Sequence, residues 1–332
     1  MKIIFSESSN LNNSVYGNCQ APIKMFLEKR GEEFEQNSVL KNLFLMGSSK
    51  NYGDVMTTLT AMSGFEPVGE NGAYPLDGMQ EGYQKFLKYQ TWKDSFSVSK
   101  EMIEDGKLLD MRKQPAAFMT SYKRTRELFG AALYGAAMMG NGSVTFKGVK
   151  FDLTGADGSN LFAKEHVPKV SGDKQCNCFK DAFSVDTLGK LETKMHLFRG
   201  DNDEILDVAP DTIVIPENAD LKKAVFAAIG ADKDPVSANN AFNYQYGRWN
   251  VIVWPYLNHY ITNGVSPWVL LDSKYNETYG GAVWNDRIQL AVRSTIDENT
   301  DANVWRGRSR FNACFNDWRF AAIGGIAAGN SL

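Results

Sequence analysis

The residues best spaced for chemistry lie near the end of the chain. Arg306, Arg308 and Arg310 alternate with Trp305, Gly307 and Ser309. On a strand all three guanidinium groups point to one side, as a basic stripe that meets a neighbouring subunit or DNA. The alternative is a solvated face balanced across a hairpin by Asp297 and Glu298. A second charged set, Lys123, Arg124, Arg126 and Glu127, occupies the polar side of a helical pattern. Two acidic runs, Asp201-Asn-Asp-Glu204 and Asp297-Glu-Asn-Thr-Asp301, bring carboxylates close enough to suggest a hard-cation site. Both lack the glycine and distal Glu of a calcium loop, so each reads as a solvated turn.

Other chemistry is absent at the level of motifs. There is no G-x-x-x-x-G-K-[ST], no H-E-x-x-H and no G-x-S-x-G. Cys176 and Cys178 form a lone C-x-C pair, Cys19 and Cys314 stand far away, and His166, His196 and His259 are scattered. Zinc sites normally show two spaced pairs or a nearby His, so free thiols are expected and no metal or other cofactor is. Trp249, Trp254, Trp268, Trp284, Trp305 and Trp318 crowd the second half. A sugar-binding platform is conceivable, but these rings lie in strand-like runs, where core packing is commoner. No catalytic residue is assigned.

The elements that position these residues read as an α+β chain. Its 332 residues carry 36 Lys+Arg against 39 Asp+Glu, a net charge of −3, with 43% hydrophobic residues. Such a composition is globular, with length for two or three domains. The near-neutral balance argues against an electrostatically driven nucleic-acid binder. No run approaches the ~18 apolar residues of a membrane span, and the apolar run at the N-terminus is too short for a signal peptide. A soluble protein of a reducing compartment is expected, with no membrane partner.

Residues 1–46 read as an arm with one amphipathic piece, Pro22 to Lys29. Residues 47–95 are punctuated by glycine and contain a strand-like run from Val55 to Met62, an extended hairpin without a long helix. Phe96 to Ser99 reads as a strand, and Lys100 to Asp105 as a helix capped by Ser99. A long helix over 115–139 follows, with Pro115 in its first turn and Gly140 as its stop. The pattern continues with a hairpin around Gly148 (144–153), a short strand at Asn160 and a helix over 185–199. Next come a strand at 212–216, a helix at 219–229 closed by Gly230, and buried-type strands at 249–254 and 267–271. A long hairpin, 287–296 with 304–315, precedes a last strand at 318–323.

This order resembles the major capsid protein of tailed bacteriophages, the Hong Kong 97 phage-type fold. The sequence is similar to the Mu-like major head subunit family in four stretches. They are Phe96-Ser-Val-Ser-Lys-Glu-Met-Ile103, Lys123-Arg-Thr-Arg-Glu127, Pro210-Asp-Thr-Ile-Val-Ile-Pro216, and Trp305-Arg-Gly-Arg-Ser-Arg-Phe311 continuing into Phe315-Asn-Asp-Trp-Arg319. The resemblance implies an N-arm (1–46), an E-loop (47–95), a P-domain in two parts (96–202 and 285–332) with its spine helix at 115–139, and an A-domain (203–284). It implies a non-enzymatic subunit that forms hexamers and pentamers of an icosahedral shell around double-stranded DNA, in a virion assembled in the bacterial cytoplasm. No heptad run precedes the β-loop, so scaffold, protease and portal would be separate proteins. No lysine matches an intersubunit crosslink site. The rival expectations are an encapsulin-type compartment, a soluble enzyme without a motif-level signature, and another phage structural part.

Overall fold

The computed structural model describes residues 4–6, 15–59, 65, 67–70, 72–74, 76, 81–105, 108–170, 172–230, 243–262, 264–327 and 329–332. The first half of the chain contains β1 (Ile4–Ser6), α1 (Val15–Gln36), α2 (Leu40–Leu43), β2 (Leu45–Ser48), β3 (Gly53–Leu59), β4 (Glu81–Lys88), β5 (Gln90–Val98), α3 (Lys100–Glu104), α4 (Leu108–Met138), β6 (Ser143–Phe146) and β7 (Val149–Asp152). The second half contains α5 (Val185–His196), β8 (Thr212–Ile215), α6 (Ala219–Ile229), β9 (Asn250–Val253), β10 (Trp268–Leu271), α7 (Ser273–Tyr279), β11 (Ala282–Ile296), β12 (Asn303–Phe315) and β13 (Ala321–Gly324). The class is α+β, as the sequence suggests.

Helix α4 begins seven residues before Pro115, which lies inside it rather than at its start. A proline removes one i→i−4 bond, a loss that a 31-residue helix tolerates when packing holds both sides. Its end is where the sequence places it. Gly140 takes a φ of +75°, and the Asn141 amide donates back to the Ala136 carbonyl at 3.0 Å, a wrapped C-terminal turn that needs a residue without Cβ.

Two sheets flank the spine. The larger has the order β1-β11-β12-β5, with β2 also parallel to β11. Its centre is the long antiparallel hairpin of β11 and β12, which starts five residues earlier than Arg287. The smaller sheet has the order β13-β10-β8-β9. Two ribbons, β3–β4 and β6–β7, complete the paired strands among the described residues. Phe129 and Tyr134 of α4 share one core with Trp254, Trp268, Trp284, Phe311 and Phe315. The tryptophans are therefore packing residues: Trp254, Trp268, Trp284 and Trp305 are fully buried.

Several boundaries shift. The arm is not devoid of partners within the chain: α1 is a 22-residue helix that packs on α4, and Leu27, Leu40, Leu43 and Phe44 are buried. The run Leu40 to Phe44 enters the main core because Gly130 of α4 leaves room for Leu40. The expected break between residues 95 and 96 falls within β5, because the strand that returns from the ribbon continues into the large sheet. The last strand, β13, pairs with β10, so the tail contributes to the α/β layer as well as to the long hairpin. The expected strand at Asn160 is a single bridge to Thr154, and α5 ends at His196. Strand β3 stops at Leu59, and residues 60–62 of the expected strand lie outside the described residues.

Candidate assembly surfaces

Strand β12 alternates as its sequence demands. Trp305, Gly307, Ser309 and Phe311 face inward and are buried, whereas Arg306 and Arg308 are exposed and Arg310 is half-buried on the other side. The cross-strand neighbours of the three arginines come from β11 and β5. Arg306 lies between Arg293 and Ser95, Arg308 between Ala291 and Lys93, and Arg310 between Ile288 and Thr91. Lys93 and Arg293 thus extend the stripe to five cations, two residues that reading one strand at a time does not group together. The balancing carboxylates proposed across the hairpin are elsewhere. Asp297 accepts the Thr300 hydroxyl at 2.8 Å within the hairpin tip, and Asp301 lies 3.9 Å from Lys100.

The charged set on α4 does not form one solvated face. Only Arg124 is exposed. Arg126 donates to both carboxylate oxygens of Asp286 at 2.7 and 3.0 Å and lies 4.8 Å from the ring centres of Trp284 and Phe311. Burial opposes its charge, but Tyr122 and Asp286 outweigh burial and hold its pKa above the ordinary arginine value. Lys123 lies over the Phe34 ring. Glu127 is buried and accepts from the Ser38 hydroxyl at 2.8 Å, while its Oε2 has no hydrogen-bond partner. Burial pushes its pKa up, and the Ser38 bond and Lys123 pull back only in part. Arg126 and Glu127 line a cleft of roughly 1020 Å³ with Phe34, Lys41, Asp211 and Glu277. The charged residues here pin α4 to β11 and to the link between α1 and α2.

The β3–β4 ribbon is anchored on one face. Met56, Leu87 and Tyr89 pack on Cys314, and Lys85 pairs with Asp152 at 3.1 Å. On the other face Val55 and Phe86 stand directly opposite one another and are 60% and 56% exposed. Tyr52, Phe65, Tyr74 and Leu76 are exposed too. A bare apolar pair on the open face of a ribbon suits a protein contact.

The remaining candidates are structural. Asp201 is not a solvated turn residue but is buried, 2.8 Å from Arg319, which also bonds Asp317. His166 is enclosed between Asp157 and Asn177 and stacks on Trp318. His196 bonds Asp207 at 2.9 Å. Cys176, Cys178 and Cys314 are free thiols, and burial raises Cys178 and Cys314 to about 11, which keeps them protonated and unreactive. No group of three or more His, Cys, Asp or Glu among the described residues is placed to hold a metal ion.

Comparison with known proteins adds a family. No curated protein matches the chain by sequence. Its structure is similar to that of a virus-like particle from Pyrococcus furiosus (9% identity, TM-score 0.46, covering 91% of this chain and 97% of the other). It is similar to a chain of Mycobacterium phage Patience (12% identity, TM-score 0.48, coverage 100% and 94%). The capsid of cyanophage P-SCSP1u is a third neighbour (8% identity, TM-score 0.49, coverage 89% of both chains). By sequence, the profile of the phage capsid proteins matches residues 83–324, from the ribbon's return strand through both sheets to the last strand. The chain belongs to the phage capsid protein family.

Proposed function

We propose that this chain is the major capsid protein of a tailed bacteriophage, with the Hong Kong 97 phage-type organisation, and that it assembles through hexamers and pentamers into an icosahedral shell around double-stranded DNA. The observation that carries this reading beyond the family is the ribbon. Its base is fixed to the large sheet, whereas Val55 and Phe86 turn an apolar face outward. Burying such a face requires another chain, and contacts between unlike surfaces that close by rotation generate rings.

In this reading the α/β layer (about 203–284, with β13) lies at the centre of each ring. The ribbon within 47–95 reaches over an adjacent subunit, and the arm (1–46) extends from its α1–α4 anchor towards another. The role is structural, without catalysis or cofactor. Scaffold, protease and portal proteins are its expected assembly partners, and assembly takes place in the bacterial cytoplasm.

The test is electron microscopy of the expressed full-length chain, alone and with its scaffold partner. Closed shells of uniform diameter are expected. A monodisperse monomer under all conditions overturns the reading, and rings or open tubes point to another phage structural part. Protein in place of DNA inside particles from infected cells would assign the shell to an encapsulin-type compartment instead.

A further inference from the structure

Strand β4 divides its side chains between two faces. Phe86 points outward with Val55, whereas Tyr83, Lys85, Leu87 and Tyr89 alternate onto the other side and meet their own chain. These contacts run from the base of the ribbon towards its far end. At the base the Tyr89 hydroxyl donates to Asp54, Asn285 donates to the Tyr89 oxygen at 3.2 Å, and Asn312 donates to the Lys88 carbonyl at 2.7 Å. Further out, Lys85, its side chain 9% exposed, donates to the Thr154 carbonyl and pairs with Asp152 at 3.1 Å. Beyond it Lys169 donates to the Gly82 carbonyl at 2.6 Å and lies 5.7 Å from the centre of the Tyr83 ring. The Tyr83 hydroxyl donates to the Val167 carbonyl at 3.4 Å. From residue 82 to residue 89 an extended strand covers about 23 Å, so the ties hold a length of ribbon and not a single point.

The surface beneath those ties is irregular but fixed. Residues 153–170 contain neither helix nor strand, only single bridges at Thr154 and His166. A buried polar network holds them instead. His166 bonds Asp157 at 2.7 Å and Asn177 at 3.1 Å and stacks on Trp318. The Lys169 amide donates to Asp201 at 3.4 Å, and Arg319 holds Asp201 at 2.8 Å. Buried polar groups that satisfy one another specify one arrangement, so the network makes a firm seat out of irregular backbone. No step of shell formation described above uses it. We infer that residues 152–170 are an aiming platform, on which Lys85 and Lys169 act as positioning residues that set the angle of the β3–β4 ribbon before it meets a second copy of this chain. This deepens the capsid reading and rests on it for what the ribbon meets. The tie is a guide and not a brake, because it engages the face opposite Val55 and Phe86 and leaves those two exposed. A ribbon ordered beforehand has less freedom to lose on docking, which strengthens association.

The experiment compares the full-length wild type with Lys169→Met/Tyr83→Phe, which removes both distal donors and keeps the apolar stem and the ring. Hydrogen exchange of the unassembled chain reads the tie, and light scattering reads assembly. Exchange in β4 is expected to rise about tenfold, since two hydrogen bonds are lost, while the circular dichroism spectrum stays that of the wild type. Assembly is expected to slow about fivefold, because the ribbon now has to be ordered as it docks. Lys169→Arg, which keeps a donor, is expected to match the wild type in both measurements. Unchanged exchange in β4 of the double variant overturns the tie. Raised exchange with assembly as fast as the wild type, or faster, overturns the guide. If exchange rises but the wild type closes no shell, the platform stands and the capsid reading falls.

Discussion

Arg126 is the side chain on which the joint between spine and sheet depends most. It combines a two-point bond to Asp286 with the faces of Trp284 and Phe311. Arg126→Met keeps the apolar stem but leaves the Asp286 carboxylate, 20% exposed, without its countercharge. The expected cost is about 3 kcal/mol, read by chemical denaturation of the unassembled chain. Glu127 gives a pH signature of opposite character. Its carboxyl is held above 4.5, its ordinary value, by burial. A group with a raised pKa in the folded state contributes stability that is full below the ordinary value and lost as pH rises through the raised one. Glu127→Gln is therefore expected to flatten that decline and to melt no lower than the wild type at pH 7. A variant that instead steepens the loss, in thermal melts from acid to neutral pH, would show that the ionised form is the one the fold holds.

At the scale of elements, one tight joint is a side chain of α4 against β12. Gly307 leaves room for the Phe118 ring: a Cβ there would sit 2.3 Å from Phe118 Cζ. Gly307→Ala is expected to cost about 1–3 kcal/mol, because the ring has to move within the cluster of Trp305, Leu290 and Met119. Pairing it with Phe118→Leu should recover part of that loss, so a double-mutant cycle in urea reports the contact directly. The Arg-Gly-Arg-Ser-Arg run is thus two functions on one strand. Its small and aromatic residues seat the spine, and its arginines are left over on the far face.

For the whole molecule, the division is between surfaces satisfied within the chain and surfaces that are not. The α1–α4 contact, the two sheets and the shared aromatic core close on themselves. The ribbon's outer face does not. Val55→Lys with Phe86→Glu removes exposed apolar area and sets opposite charges across the pair, so it is expected to change unfolding free energy by less than about 0.5 kcal/mol. Assembly, followed by light scattering, should be abolished. Assembly at the wild-type rate would mean that the ribbon face is not an interface.

Local physics was legible in the sequence. The 3.6-residue pattern marked α4 and α6, period-two alternation marked β11 and β12, and Gly140 and Gly148 marked a helix end and a hairpin turn, because these signals are set by neighbours along the chain. The arginine stripe could be read in the same way, as could the order of elements that suggested a capsid subunit. Pairing across the chain could not. That Lys93 and Arg293 join Arg306, Arg308 and Arg310, that β13 completes the α/β sheet, and that Arg126 and Glu127 are enclosed rather than solvated depend on which elements pair and in what register, between partners as far apart in sequence as Lys93 and Arg308. Alternation fixes which way a side chain points but not what stands opposite it. Only the folded chain decides that, because pairing register and burial are settled jointly by contacts that no local window contains.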